Sequence, residues 1–116
     1  MSESPHLRNL PSDAKPFGKM IGLAYVPISR AAAELRSGAR FVAGVDELGD
    51  VHFAMCSIEG LPLFALMQRD RPSHSGIDVL VDVQAPHPDG WGVLARQILG
   101  SSGLGEPDGT LVVEDE

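Results

Sequence analysis

The apolar positions fall into short runs that alternate between strand and helix periods. Residues 20–26 (MIGLAYV) form an apolar run of strand length, interrupted by Pro27. Ser29 then suits a helix N-cap. The alanines at 31–33 and Leu35 favour helix, and Gly38 is the residue expected just past a helix end. A helix over 30–37 follows, with Ile28, Ala32 and Leu35 on its packed side. Four strand-like stretches come next, at 40–45, 51–58, 61–69 and 77–83. Trp91, Leu94, Ala95, Ile98 and Leu99 make an apolar stripe, which predicts a second helix over 90–99 with Asp89 as its cap and Gly100 as its stop. Residues 110–113 (TLVV) read as a last strand at an edge.

Two sharp turns set the expected pairing. Residues 46–50 suit a three-residue hairpin with Gly49 in the left-handed region, placing Val45 opposite Val51 and Ala43 opposite Phe53. Residues 58–61 suit a two-residue turn with Glu59 and Gly60 at its tip, placing Ile58 opposite Leu61 and Met55 opposite Phe64. Side chains alternate along a strand, so these registers sort residues onto two faces. One face carries Phe41, Ala43, Val45, Val51, Phe53, Met55, Phe64 and Leu66, joined by Ile77, Val79, Val81 and Val83. The other carries Val42, His52, Ala54, Cys56, Ile58, Leu61, Leu63, Ala65, Met67 and Leu80. A sheet with one wet face alternates more cleanly than this.

The resulting expectation is an α+β fold, a mainly antiparallel sheet of four to six strands with a central four-strand meander. Two short helices lie on one face, because both are connecting pieces. Residues 20–113 form the single domain. Residues 1–19, punctuated by Pro5, Pro11 and Pro16, read as a flexible arm, and 114–116 as an acidic tip.

Composition narrows the function classes. The chain has 116 residues, of which 43% are hydrophobic and 22% charged, so it has a globular balance and room for one domain. A net charge of -7 with only 9 Lys and Arg argues against a nucleic-acid surface and favours a basic partner. The apolar runs are far shorter than a membrane span, and the first seventeen residues lack an apolar signal core. One cysteine, Cys56, leaves no internal disulfide or cysteine-based zinc site and fits a reducing cytoplasm.

Candidate chemistry is sparse. The expected registers place His52 on the second face beside Gly44 and Met67, with Arg69 and Asp78 nearby. These four are the candidate ligand-binding residues, since a histidine and a carboxylate flanking a pocket suit acid–base work near neutral pH. The competing reading is a half-buried histidine near the sheet edge. Two strand spacings, roughly 10 Å, separate His52 from Asp78, too far for a direct hydrogen bond. Cys56 lies four residues from His52, about 13 Å along a strand, outside one metal's ligand shell, and reads as a buried inert thiol. Arg69, Arg71, Ser73, His74 and Ser75 lie in or beside a loop that suits a small anion or plain solvation. His87 and Asp89 join His74 as a weak metal set with nothing to bring them together. Gly100–Gly105 is glycine-rich but lacks the Lys-Ser/Thr of a phosphate loop. No metal, cofactor or catalytic residue is expected, and no stretch carries a family signature.

The second apolar face therefore dominates the functional expectation. Two short helices cannot cover both faces, and a patch of several hundred Å² is worth on the order of 10 kcal/mol before entropy costs. The sequence points to a non-enzymatic, homodimeric interaction or inhibitor-type protein. Its expected interface is Ala54, Cys56, Ile58, Leu61, Leu63 and Ala65. The alternative is a ligand-binding or catalytic protein with a pocket at the sheet face or subunit boundary near His52.

Overall fold

A computed structural model describes residues 7–10, 19–46, 49–69 and 76–113. The elements run β1 (Arg8–Asn9), β2 (Met20–Val26), α1 (Arg30–Ser37), β3 (Val42–Asp46), β4 (Gly49–Ser57), β5 (Phe64–Arg69), β6 (Ile77–Asp82), α2 (Trp91–Ser102) and β7 (Leu111–Val112). The fold is α+β, an open antiparallel sheet with two helices. The sheet order is β1-β4-β5-β6-β2-β7, with β3 also paired to β4. The long strand β4 thus shares its outer edge between β3, along Gly49–Phe53, and β1, at Cys56–Ser57.

Both helices lie on one face, and topology explains why. The ladders make β2 parallel to β3 and β6 parallel to β7, so each helix is a crossover. The crossovers start from strands of opposite sense and move in opposite lateral directions. A common right-handedness then puts them on the same side. Ala33 of α1 and Leu94, Ala95, Ile98 and Leu99 of α2 share one buried cluster with Val26, Cys56, Phe64, Leu66, Ile77, Val79 and Val81. A bulge between Gly22 and Ala24 turns two consecutive residues, Leu23 and Ala24, into this cluster.

The first helix follows its sequence signals closely. Ser29 caps it, accepting from the Ala32 N–H at 3.1 Å, and Gly38 closes it with φ +77°. Its packing differs from expectation. Ala33 is the buried residue, whereas Leu35 is 88% exposed. The second helix starts at Trp91 behind Gly90, which provides no side-chain cap, so Asp89 does not serve as one. It continues through Gly100 to Gly103. There φ is +84°, and a Cβ would stand 2.4 Å from the Arg36 carbonyl oxygen, so only glycine lets the two helix ends meet. Arg36 donates to the Leu104 carbonyl across the same junction, at 3.3 Å.

Both hairpin registers differ by one residue from the sequence reading. Asp46 pairs with Gly49, so the first loop has two residues rather than three, and Ala43 faces His52 instead of Phe53. In the second hairpin, Leu61 donates to the Ile58 carbonyl at 3.0 Å with Gly60 at φ +86°. Pro62 then offers no N–H, and the ladder begins only at Phe64, opposite Cys56. The two slips run in opposite directions. The expected relation of β3 to β5 therefore survives, and β4 alone is turned over.

Part of the expected arm is ordered against the sheet. Arg8 pairs with Ser57 and Asn9 with Cys56, and Leu10 donates to the Met55 carbonyl at 2.9 Å. The Asn9 amide donates to the Gly38 carbonyl at 2.9 Å and accepts from the Arg40 N–H at 2.6 Å. The remainder of the arm (1–6 and 11–18) and the acidic tip lie outside the described residues, apart from Lys19, whose carbonyl accepts from Val83 at 3.0 Å.

Candidate functional site

The turned-over β4 redistributes every candidate on it. Ala54, Cys56 and Ile58, expected at an interface, are buried in the core beneath the helices, and Leu61 is partly buried against that core. Ala65 lies on the opposite face and is itself buried, whereas Leu63 is exposed. The expected interface set does not share one surface, and its member Ala65 already has neighbours on every side. Burial also pushes the Cys56 thiol up to about 12 and leaves it a protonated, unreactive group.

The candidate ligand residues are divided as well. His52 faces Ala43 and Gln68 on the helix side, where the Gln68 Oε1 is buried without a hydrogen-bond partner among the described residues. Met67 faces Phe53 and Asp78, and Arg69 faces Val51, on the other side of the sheet. His52 is thus separated from Met67, Arg69 and Asp78 by the sheet itself. Gly44 opens no space beside His52 either. It lies on the far face, where the Phe53 ring crosses it so closely that a Cβ would fall 2.7 Å from the ring.

The far face of the sheet lies away from both helices. Across the strands it reads as rows of facing residues. Met55, Ala65, Leu80 and Gly22 make one row, and Val42, Phe53, Met67, Asp78, Tyr25 and Leu111 make the next. Val51, Met55 and Ala65 are buried within it, and Phe53, Met67 and Leu80 are half-buried. Around them Met20, Leu63 and Leu111 are 41%, 47% and 67% exposed. Tyr25 is held in place by its hydroxyl, which accepts from the Gly76 N–H at 3.1 Å. Leu80 lies on this face as expected, whereas Phe53, Met20, Tyr25 and Leu111 were not singled out in the sequence as members of it. The bulge and the short β7 that place the last two there have no period-2 signature.

A second feature lies at the start of α2. A cleft of about 330 Å³ runs between Gly60–Pro62 and Pro86–Gly90, floored by Val93, Leu94 and Gln97. His87 stacks on Trp91 with ring centroids 3.5 Å apart and planes 11° apart. Its Nδ1 lies 2.8 Å from the Ala85 carbonyl oxygen, which can only accept, so Nδ1 carries the proton. His87 and Asp89 do line one cleft. Even so, no group of three His, Cys, Asp or Glu able to hold a metal occurs among the described residues. Arg71, Ser73, His74 and Ser75 lie outside the described residues.

No family model, curated protein or solved structure matches the chain. No helix of the described residues is long and apolar enough to cross a membrane.

Proposed function

We propose that the protein is a non-enzymatic interaction module that pairs with a second copy of itself through the helix-free face of its sheet. The observation that carries this reading is the apolar character of that face: half-buried Phe53, Met67 and Leu80 lie on it, with Met20, Leu63 and Leu111 exposed towards its margins. Packed apolar area is the main driving force for such association. A broad sheet face suits a two-fold partner, because the same patch meets itself across the axis. The charges on the described part of the face have both signs, Arg69 with Asp78 and Asp82, so no single sign of charge fills it.

The pocket reading centred on His52 has less support, because the sheet divides His52 from the residues it would act with. Light scattering during gel filtration tests the proposal. At micromolar concentration the native chain is expected at twice 12.3 kDa. The double variant Met20→Lys, Leu63→Lys is expected as a single chain with an unchanged circular dichroism spectrum, since both positions tolerate charge in the separate subunit. A native protein that stays at 12.3 kDa over the whole concentration range overturns the reading.

A further inference from the structure

The helix-free face has a hole at one end and a knob at the other. β4 shares its outer edge between β1 and β3, and beside the break between them lies a notch of about 380 Å³. Leu10, Arg40, Val42, Phe53 and Met55 line it. Val42, Phe53 and Met55 belong to the rows of the helix-free face, so the notch belongs to that side of the sheet. The row that starts at Val42 runs through Phe53, Met67, Asp78 and Tyr25 and ends at Leu111. Leu111 thus stands at the far end of the sheet from the notch, and it is 67% exposed.

Charge is divided across the middle of the same face. β5 carries Arg69 and no carboxylate, and its neighbour β6 carries Asp78 and Asp82 and no basic residue. Two copies that meet face to face are related by a two-fold axis lying between their sheets. Packed sheets keep their strands nearly aligned, which leaves two settings of that axis. An axis across the strands lays each strand on its own copy. The aspartates of β6 then meet the second β6, like charge on like. An axis along the strands, between β5 and β6, reverses the row instead. β6 then lies on β5 with its Arg69, Tyr25 lies on Phe53, and Leu111 lies on Val42 at the notch. Charge complementarity therefore selects the axis that brings the knob to the hole.

Resting on the self-association proposed above, we infer that the two copies interlock, with Leu111 of each entering the notch between β1 and β3 of the other. The contact is made twice, once at each end of the pair, and so fixes how one sheet sits on the other.

The test places cysteines at Val42 and Leu111 and treats the full chain with a bismaleimide spanning about 10 Å, the separation of packed sheets. Within one chain the two positions lie five strand spacings apart, roughly 24 Å, so this reagent joins them only between copies. At a concentration where light scattering finds pairs, Val42→Cys with Leu111→Cys is expected to give a covalent dimer. Each single variant, like the native chain with its buried Cys56, is expected to give none, because equal positions stand at opposite ends of the pair. Leu111→Asp is expected to loosen the pair at least about tenfold, with unchanged circular dichroism, by bringing a carboxylate to an apolar notch. Leu35→Asp, exposed on the helix side, is expected to leave the pair unchanged. Pairs that form without this cross-link, that cross-link through either cysteine alone, or that hold as tightly with Leu111→Asp each overturn the inference and leave the proposed function standing. A native chain that stays single at every concentration overturns both.

Discussion

Cys56 shows how much one side chain's position decides. It is fully buried on β4, and its Sγ lies 3.6 Å from the Ala54 carbonyl oxygen. Loss of water disfavours the thiolate and raises the thiol from 9.0 to about 12. The folded protein is therefore expected to resist thiol reagents at pH 8 and to react fully once unfolded in urea, followed by mass spectrometry. The same shift gives a pH dependence. The unfolded chain loses this proton near 9 and the folded chain near 12, so this group's contribution is complete below 9 and is lost as pH rises to about 12. Urea titrations across that window are expected to show falling stability in the native chain and a shallower fall in Cys56→Ala. The inert thiol was legible from the sequence, because an apolar strand around a lone cysteine implies burial. Leu35 was not read correctly, because a short helix packs by the angle at which it crosses the sheet, and α1 crosses on its small residue, Ala33.

At the scale of elements, the strands and both helices were legible because each has its own period and its own punctuation. Ser29 and Gly38 mark α1, and the run 20–26 marks β2. Pairing was harder, since register rests on single turn residues. Pro62 delayed one ladder and Gly49 shortened one loop, and each slip of one residue exchanges the faces of a strand. That is why His52 parted from Met67, Arg69 and Asp78, and why the core and the outer face exchanged their β4 residues. The strand β1 carries no apolar signal. What holds it is the Asn9 amide, which both donates to and accepts from the backbone at Gly38 and Arg40. Asn9→Ala is expected to cost about 1 kcal/mol. Hydrogen exchange is the direct readout. The Leu10 amide, bonded to Met55, is expected to exchange faster in the variant, while the amides of β5 and β6 keep their native rates.

At the scale of the whole molecule, net charge and apolar surface make opposite demands. Bringing two copies together joins two chains of net charge -7, so their mean field opposes contact while the apolar face favours it. Salt screens that field over a Debye length of about 10 Å at 0.1 M, and it leaves burial of Leu63, Met20 and Leu80 unweakened. Self-association through the sheet face is therefore expected to tighten several-fold from low to moderate salt, measured by sedimentation equilibrium. A contact made chiefly of ion pairs would weaken instead. A complex that loosens as salt rises would mean that copies meet through charge rather than through the apolar face, and would move the self-association site away from the sheet.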